Sequence, residues 1–360
     1  MQQTVNLGAA STELLLGAGC RHRFLELVQQ SSSNLLVMSD QRVEEAVRPR
    51  FLTDHTWLTV PSGEESKSLE QVGRLWSELV KRGVDRSSGL VAVGGGVVCD
   101  LAGFVASTYL RGIAFYALPT SLLAMVDASV GGKVGIDLPE GKNLVGQFYP
   151  GQVVACDPEL LSTLPHIEWS YGMAEVIKHG ILSGPDLWSQ ILSFQPTSRQ
   201  DPAHLDSVLS AAVQVKVDVV KDDPYEKTGL RATLNLGHSY GHAIEWCSHF
   251  TMGHGAAVGL GLLAGLRLSR ELGILEEDFE NELVALLQAW DLPTTLPPHQ
   301  EGQYSWENIS TALGRDKKNK DGRWCFVLPK KLGRVETVFG PPENLVERAF
   351  RSLQPQEVAS

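Results

Sequence analysis

The sequence has few cysteines, and they follow no pattern that would make them a structural framework. Their number is odd, they are scattered over 360 residues, and no two form a CxxC pair. The pattern therefore argues against small disulfide-dependent secreted domains and against zinc ribbons built on paired cysteines. Free thiols are typical of a reducing compartment, and we expect a cytoplasmic protein. The five residues are Cys20, Cys99, Cys156, Cys247 and Cys325.

Long apolar runs and an excess of basic charge are also missing. The longest glycine-rich apolar run covers residues 255–266, too short to span a bilayer, and no basic-then-apolar signal segment opens the chain. The 31 lysines and arginines are outnumbered by 42 aspartates and glutamates, which gives a formal net charge of -11. This balance argues against nucleic acid or a membrane surface as partner, but it allows an anionic small molecule where cations converge locally.

The length allows two domains, and the hydrophobic periodicity changes near residues 155–165. Before this point, strands predicted at residues 34–39, 57–60, 89–93 and 115–118 alternate with helices predicted at residues 69–82 and 97–110. Alternation of this kind predicts a parallel sheet with helical crossovers. After it, helices dominate. They are predicted at residues 169–182, 204–221, 237–248, 256–272, 278–290 and 305–313, with a late strand at 324–328.

Histidines are concentrated in the stretch LNLGHSYGHAIEWCSHFTMGH, although the chain has only ten. Neutral imidazole is the commonest side-chain metal ligand. His238 and His242 are spaced i, i+4 and share a face if the stretch is helical, while the loop FTMG could fold His254 back toward that face. The earlier motif AEVIKHG adds Glu175 and Lys178. Two nitrogens and one carboxylate oxygen suit a catalytic zinc that keeps a coordination position open, and cobalt or iron would accept the same set.

The stretch VAVGGGVVCDLAG joins a predicted strand to a helix start through glycines 94–96. Glycines let the backbone approach a pyrophosphate, and free N–H groups at a helix start attract anions. The GxGxxG spacing is absent, so a tight strand-to-helix turn is an equal alternative. Asp40 ends a predicted strand, where it could accept from a ribose hydroxyl, and GEESK adds Glu64 and Lys67. Each of these charges, taken alone, is more often a solvated surface group.

A glycine-rich segment with little periodicity, DASVGGKVGIDLPEGKN, is interpreted as a polar loop that carries Asp127, Lys133, Lys142 and Asn143. Lysines flanked by glycines on a loop can reach a bound anion, and a solvated loop is the alternative. Arg111 in YLRG and Arg231 in GLRATLN are further candidates, because a guanidinium donates two parallel hydrogen bonds to a carboxylate or phosphate.

These residues stand in motifs that closely resemble those of the 3-dehydroquinate synthase family, within the sugar-phosphate cyclase superfamily. The motifs run in family order from Asp40 to Lys318 and are GGGVVCDLAGFVAS, YLRG, PTSLLAMVDASVGGK, GKNLVGQF, GMAEVIKHG, GLRATLNLGHSYGHAIE and GRDKKNKDG. The resemblance implies an α/β N-terminal domain with a parallel-type nucleotide-binding sheet that holds NAD (residues 1–160). It also implies a mainly α-helical C-terminal domain for metal and substrate (residues 161–360), an active site between the two, and a homodimer.

The resemblance further implies a role for each candidate. Glu175, His238 and His254 are similar to zinc ligands, with cobalt possible, and His242 to a neighbouring group that contacts phosphate or substrate. Arg111 resembles an arginine that reaches the substrate phosphate across the dimer interface. The other residues implied at the substrate are Lys133, Asn143, Lys178, Lys216, Arg231, Asn235 and either Lys317 or Lys318. Those implied at NAD are Asp40, Glu64, Lys67, Gly95, Gly96, Val97, Asp100, Thr120, Ser121, Leu123, Asp127, Lys142 and Thr163.

The chain departs from the family pattern at a few of these positions. Cys99 replaces a usual glycine, and Ser121 replaces a threonine but keeps the hydroxyl. The spacing from Lys216 to Arg231 is one residue longer than usual, so Lys221 remains an alternative for the lysine role. None of these changes removes a metal ligand or a charge from the implied site.

The implied reaction converts 3-deoxy-D-arabino-heptulosonate 7-phosphate into 3-dehydroquinate and phosphate, a lyase step of the shikimate pathway toward chorismate and aromatic amino acids. Its stages are transient oxidation at C5 by NAD, phosphate elimination, reduction, ring opening and intramolecular aldol closure. One alternative is a sibling cyclase whose sugar phosphate lacks the carboxylate that Arg231 would meet. The others are a metal-dependent alcohol or glycerol dehydrogenase, which would release NADH, and a non-catalytic metal- or nucleotide-binding scaffold, which would need neither Lys178 nor Arg231.

Overall fold

The computed structural model describes the chain except Arg50, His299, Glu301 and residues 316–318, 320–321 and 356–360. The described residues form two compact units. The first comprises Met1–Pro165 and Lys216–Lys227, and the second comprises His166–Val215 and the described part of Thr228–Ser360. The segment Lys216–Lys227 thus packs within the first unit, although a division at residues 160/161 assigns it to the second. The functional division at 160/161 stays a prediction.

The first unit is built on a seven-stranded sheet. The strands of this unit, including two outside the sheet, are β1 Gln2–Leu7, β2 Ala10–Leu16, β3 Leu35–Asp40, β4 Thr56–Val60, β5 Gly89–Gly94, β6 Ala114–Pro119, β7 Lys133–Leu138, β8 Gly141–Phe148 and β9 Val153–Cys156. The sheet order is β1-β2-β9-β6-β5-β3-β4. The pair β1–β2 is antiparallel and the other neighbours are parallel. β7 and β8 form a separate antiparallel hairpin. The parallel sheet predicted from the apolar runs is confirmed.

Four helices accompany this sheet, namely α1 Cys20–Ser31, α2 Gln41–Val47, α3 Leu69–Lys81 and α4 Gly96–Thr108. Every residue of β5 is buried, as expected for a central parallel strand covered on both faces. Its Val91 packs in one hydrophobic cluster with Phe24 and Val28 of α1, Val37 of β3 and Leu118 of β6. The continuous apolar runs of the sequence are therefore the core of this unit.

The segment interpreted as a polar loop is instead the β7–β8 hairpin, which is a correction. Asp127 lies before it, in a π-helical turn at Ala124–Ala128. Gly135 and Gly146 are the reason that the two strands pair closely. A Cβ on Gly135 would lie 2.8 Å from the Val145 carbonyl oxygen, and a Cβ on Gly146 would lie 2.4 Å from that of Val134. Glycines at such positions leave no alternation of side chains, so the strand signal was missing from the sequence.

The second unit is mainly helical. Its elements are α5 His166–Ser183, α6 Pro185–Ser193, α7 Pro202–Asp222, α8 His238–Cys247, α9 His254–Glu271, α10 Glu280–Ala289, α11 Trp306–Gly314, the hairpin of β10 Cys325–Lys331 and β11 Arg334–Phe339, and α12 Glu343–Arg351. The last residues of α7, from Lys216 onward, belong to the first unit. The predicted succession of an α/β region and a helical region is confirmed. Judged by length and apolar content, no helix in the described part of the chain could cross a bilayer.

Helix α9 is the centre of the second unit, and glycines let its neighbour approach it. Residues Gly255–Leu266 are all buried, and α9 packs against α8, α5, α12, α10 and β10. Gly237 precedes α8 in the left-handed conformation, with φ +79°. A Cβ on Gly261 would lie 1.9 Å from the Gly237 carbonyl oxygen, so only glycine fits this contact. The turn that begins α8 is therefore pressed against α9.

We expect Gly261→Ala to lower the free energy of unfolding by about 2 kcal/mol, because the added methyl group forces the two helices apart. Gly265→Ala is the matched control. It lies one turn later in α9, and its Cβ would meet nothing closer than 3.8 Å. The control should be neutral or slightly stabilising, since alanine favours a helix over glycine. Urea unfolding followed by circular dichroism measures both. Equal stability of the two variants would contradict the close contact.

Candidate functional site

Three side chains that could bind a metal ion lie together in the second unit. His238 Nε2 and His254 Nε2 each lie 3.4 Å from Glu175 Oε1. One donor atom of each residue lies within 4.8 Å of the other two. Tetrahedral zinc with bonds of about 2.0–2.1 Å separates its donor atoms by about 3.4 Å. The two distances from Glu175 Oε1 thus fit a zinc ion, while the ligand assignment itself stays a prediction.

Packing of glycines against α5 brings His254 to Glu175. Tyr171 precedes Glu175 by one helical turn in α5, and Gly253 and Gly255 flank His254. A Cβ on Gly253 would lie 2.1 Å from Tyr171 Cζ, and a Cβ on Gly255 would lie 2.2 Å from Tyr171 Cα. Only glycine fits at position 255, where the contact is with backbone, whereas at position 253 the contact is with the ring of Tyr171. The motif GHG therefore places His254, the first residue of α9, next to α5, the helix that carries Glu175.

Hydrogen bonds at the far side of each imidazole set its orientation. His238 Nδ1 lies 3.1 Å from the Leu236 carbonyl oxygen, which can only accept, so this nitrogen donates. His254 Nδ1 lies 3.3 Å from Glu245 Oε2. With the proton on Nδ1, Nε2 is in each ring the nitrogen that a metal ion on the side of Glu175 would bind. This is the arrangement of metal-bound histidines, whose other nitrogen donates to a carbonyl or carboxylate.

The Glu175 carboxylate is buried and carries charge. Lys178, one turn later in α5, forms an ion pair with Oε2 and is also buried. Among the described residues, neither oxygen of Glu175 accepts a hydrogen bond of ordinary geometry. Burial raises the pKa of Glu175, but Lys178, His238 and His254 together outweigh it and hold the pKa well below its usual value. An ionised carboxylate whose oxygens lack such bonds, beside two imidazole nitrogens, is what a bound cation would satisfy.

The two imidazoles differ in their affinity for a proton. Burial, with Lys178 nearby, holds the pKa of His238 well below its usual value. Burial also acts against charge on His254, but the carboxylates of Glu175 and Glu245 outweigh it and raise the pKa of His254 to about 10. A metal ion bound at Nε2 would replace that proton, since metal binding and protonation compete for the same lone pair.

Of the other candidates in the second unit, His242 lies beside this group, and Arg231 and Asn235 precede it in the chain. His242 lies one turn after His238 in α8, with ring centroids 5.2 Å apart, and its ring is 6.3 Å from that of His254. Its nitrogens are outside the ligand group found among the described residues. Arg231 is buried at the start of a 3₁₀ turn, Arg231–Asn235, in which Asn235 Nδ2 donates to the Ala232 carbonyl.

In the first unit, the candidates for nucleotide binding follow the carboxyl ends of neighbouring parallel strands. Asp40 ends β3, residues 95–97 follow β5, and residues 120–123 follow β6. These strands are adjacent in the sheet. In open parallel sheets, nucleotides generally bind at the edge formed by the carboxyl ends of the strands. Gly95 caps α4 without a side-chain hydrogen bond, which leaves backbone N–H groups to an anion. The structure therefore fits both interpretations of the glycine stretch, as a tight strand-to-helix turn and as an anion-binding site.

Further candidates have local partners or stand apart. Asp40 Oδ1 accepts from the backbone N–H groups of Arg42 and Val43, so it caps α2. Ser121 Oγ accepts from the backbone N–H of Ala124. Thr120 is buried, Leu123 is half-buried, and Thr163 is exposed after β9. Arg111 is exposed after α4 with φ +67°. Lys317 and Lys318 lie outside the described residues.

Lys67 joins candidates from separate parts of the first unit. Its side chain is 3% exposed, and Nζ lies 2.8 Å from Asp100 Oδ2 and 2.6 Å from Asn143 Oδ1. Glu64 Oε1 lies 3.2 Å away and Asp137 Oδ1 3.9 Å away. Burial acts against the ammonium, but these carboxylates outweigh it and raise the pKa of Lys67. Burial raises the pKa of Asp100 to about 6 even beside this ammonium, so the pair's proton stays on Lys67 at neutral pH.

Two more lysine candidates of the first unit are paired with carboxylates. Lys216 is buried, and its Nζ lies 2.6 Å from Asp127 Oδ1, whereas Lys221 is exposed. This favours Lys216 over Lys221 for a site role. Lys133, the first residue of β7, forms an ion pair with Glu226. Glu226 has φ +56° and follows α7.

Four residues at these sites were missed by the sequence analysis. Tyr171 supports His254, Glu245 holds its Nδ1, Asp137 accepts from the Asn143 backbone N–H at 2.7 Å, and Glu226 pairs with Lys133. Glu245 and Asp137 lie inside stretches quoted above, GHSYGHAIE and DASVGGKVGIDLPEGKN, whereas Tyr171 and Glu226 lie in none of them.

We expect Lys67→Met to lower the free energy of unfolding by about 3 kcal/mol, because it leaves three neighbouring carboxylates without their shared cation. Methionine keeps most of the aliphatic packing. Lys81→Met on α3 is the control: its Nζ also pairs with a carboxylate, that of Glu78, but it is 70% exposed. The control should leave the urea midpoint unchanged. If both variants unfolded at the wild-type urea midpoint, the ion pairs of Lys67 would not stabilise the fold.

Sequence comparison identifies the family. A family model described as 3-dehydroquinate synthase N-terminal matches residues 57–171, and one described as 3-dehydroquinate synthase C-terminal matches residues 172–319. The chain is 46% identical to 3-dehydroquinate synthase of Symbiobacterium thermophilum over 77% of each chain. It is 37% identical to that of Acaryochloris marina over 98% of this chain and 96% of the relative.

Solved structures share the fold at lower identity. A 2-deoxy-scyllo-inosose synthase complexed with carbaglucose-6-phosphate, NAD+ and Co2+ aligns with TM-score 0.85 and 23% identity over 98% of this chain and 100% of that one. A 2-epi-5-epi-valiolone synthase from Streptomyces hygroscopicus, with NAD+ and Zn2+ bound, gives the same score and identity over 98% and 99%. A probable glycerol dehydrogenase from Sinorhizobium meliloti gives 0.65 and 15% over 97% and 98%.

The two family models together cover residues 57–319, and relatives of more than 30% identity extend over almost the whole chain. The resemblance carried by the glycine, lysine and histidine motifs is thereby confirmed. The chain belongs to the 3-dehydroquinate synthase family.

Proposed function

We propose that this protein converts 3-deoxy-D-arabino-heptulosonate 7-phosphate into 3-dehydroquinate and inorganic phosphate. The observation that carries the proposal is the group of Glu175, His238 and His254, in which both imidazole nitrogens lie 3.4 Å from one carboxylate oxygen. Family membership supplies the reaction, and this geometry supports the metal-dependent chemistry that the reaction requires. The protein is then a lyase of the shikimate pathway, which leads to chorismate and the aromatic amino acids.

Two cofactors are proposed, NAD and a zinc ion, with cobalt as a possible substitute. A bound divalent metal supplies Lewis acidity that lowers the pKa of a substrate hydroxyl, and bound NAD supplies a reversible hydride acceptor. Glu175, His238 and His254 would hold the metal. The residues proposed for the NAD site are Asp40, Glu64, Lys67, Gly95, Gly96, Val97, Asp100, Thr120, Ser121, Leu123, Asp127, Lys142 and Thr163.

The ammonium of Lys178 has a defined electrostatic task in this proposal. It is 1% exposed and paired with Glu175, which is fully buried. A buried carboxylate without a cation would take up a proton and lose its value as a ligand. Lys178 therefore keeps Glu175 ionised, and in this proposal its remaining N–H groups would donate to an anionic substrate.

The substrate carries a carboxylate and a phosphate, and the chain supplies cations for both although its net charge is -11. We assign the carboxylate to Arg231, because a guanidinium donates two parallel hydrogen bonds to it. Asn235 and His242 would complete this end of the site. The remaining substrate contacts are proposed for Lys133, Asn143, Lys216 and either Lys317 or Lys318. Holding one substrate conformer by these contacts can itself supply several kcal/mol of barrier reduction, up to about 7–11 in model systems.

Three broader expectations belong to the same proposal. We propose a homodimer in which Arg111 reaches the substrate phosphate of the partner subunit, and its exposure after α4 is compatible with that role. We propose a cytoplasmic location, with a sugar phosphate as ligand and neither nucleic acid nor membrane as partner. We also retain residues 1–160 as the NAD-binding domain and 161–360 as the metal- and substrate-binding domain, with Lys216 contributed by the segment that packs in the first unit.

The deciding assay incubates pure protein with the heptulosonate phosphate, zinc and a catalytic amount of NAD. We expect phosphate and the cyclic product to appear in equal amounts, without a lasting rise in nicotinamide absorbance, because the hydride returns within one turnover. A steady rise of NADH with an alcohol would indicate a dehydrogenase. Turnover of a sugar phosphate that lacks a carboxylate, with no turnover of the heptulosonate phosphate, would indicate a sibling cyclase.

We expect Arg231→Ala to lower kcat/KM for the heptulosonate phosphate at least about 100-fold, because the substrate carboxylate loses a bidentate partner. Arg348→Ala on α12 is the control, since this arginine is 62% exposed and pairs only with Glu271 among the described residues. Steady-state phosphate release measures both variants. If kcat/KM of Arg231→Ala stayed close to that of the control, the carboxylate assignment would be wrong.

A further inference from the structure

We propose that Glu245 is a positioning residue that fixes the ring of His254 for metal binding. The proposal rests on the proposed metal centre and adds a member to it that does not touch the metal. Glu245 lies in α8, two residues before the helix ends at Cys247, and only 6% of its side chain is exposed. Its Oε2 lies 3.3 Å from His254 Nδ1, on the opposite side of the ring from Glu175.

The contact leaves one proton arrangement for a metal-bound ring. An ionised carboxylate can only accept, so a proton on Nδ1 is donated to Glu245. Nε2 is then the unprotonated nitrogen, and it lies 3.4 Å from Glu175 Oε1. A carboxylate behind the ring also makes the imidazole a stronger donor to the metal, because it stabilises the positive charge that coordination draws from the ring.

The two histidines are oriented by different groups, so the Glu245 carboxylate acts on His254 and not on His238. His238 donates to the neutral carbonyl of Leu236, two residues earlier in the chain. Its ring is thus oriented by the backbone at the start of its own helix. His254 begins a different helix, and its acceptor is a side chain nine residues away. Changing Glu245 therefore perturbs one ligand of the centre and leaves the other in place.

The backbone of Glu245 also stabilises the turn between α8 and α9, which leads to His254. Its carbonyl oxygen accepts from the Phe250 backbone N–H at 2.8 Å and from Ser248 Oγ at 2.7 Å. His249 and Phe250 adopt positive φ angles of 52° and 59°, so the chain reverses sharply at this point. The backbone of Glu245 thus holds the start of the turn, and its side chain holds the His254 ring that follows the turn. A side-chain substitution removes only the second of these contacts.

The test measures zinc affinity of the metal-free protein by competition with a chromophoric chelator. We expect Glu245→Gln to weaken zinc binding about 10-fold, because the amide can still accept but carries no charge. Glu245→Leu, which has no acceptor, should weaken it up to about 100-fold. Glu307→Gln on α11 is the matched control, since it makes the same change at an exposed position of the same unit and should bind zinc as the wild type does.

A second measurement separates positioning from a general loss of structure. With cobalt bound, the visible absorption bands report the ligand field, so both Glu245 variants should shift these bands while Glu307→Gln leaves them unchanged. Weaker binding with an unshifted cobalt spectrum would show that Glu245 acts on the fold alone and would overturn the proposal. Unchanged affinity in both variants would overturn it while leaving the metal centre intact. Failure of the wild-type protein to bind zinc would overturn the metal centre and the role of Glu245 with it.

Discussion

A charged carboxylate buried in a helix is the constraint on which the second unit depends. Glu175 is fully buried, and leaving its charge uncompensated would cost several kcal/mol. Lys178 compensates from the same helix, but it approaches Oε2 and leaves Oε1 to the imidazoles of His238 and His254. Both helices that begin with these histidines reach α5, where each Nε2 lies 3.4 Å from Glu175 Oε1.

Glycine makes this approach possible in both units. In the second, Gly255 lets the start of α9 touch the backbone of α5, and Gly261 lets α9 meet the turn before α8. In the first, a Cβ on Gly94 would lie 2.6 Å from Val98 Cβ, so the chain can enter α4 directly from β5 only with glycine there. At each of these three glycines, the absence of a side chain lets two segments of the chain come closer than any other residue would allow. The motifs rich in glycine are thus geometric requirements of the sites that they flank.

The sequence predicted well what periodicity and local spacing encode. The alternating apolar runs indicated β3, β5 and β6, and the i, i+4 spacing of His238 and His242 indicated one helical face. It failed at β7 and β8, where Gly135 and Gly146 face the partner strand and erase the alternation that marks a strand. It also missed Glu245 and Asp137, because their importance lies in which atom each one meets after folding. A contact between residues distant in sequence leaves no periodic trace.

The fold alone does not decide the chemistry, because sugar-phosphate cyclases and a probable glycerol dehydrogenase both align with most of this chain. What distinguishes a cyclase must lie in charged side chains that a simple hydride transfer would not require. Lys178 already has a local task, because its ammonium compensates the buried carboxylate of Glu175. Arg231, buried at 3% exposure, is the candidate for such a side chain. In the proposed reaction, a substrate with two anionic groups would give the burial of this guanidinium a physical reason.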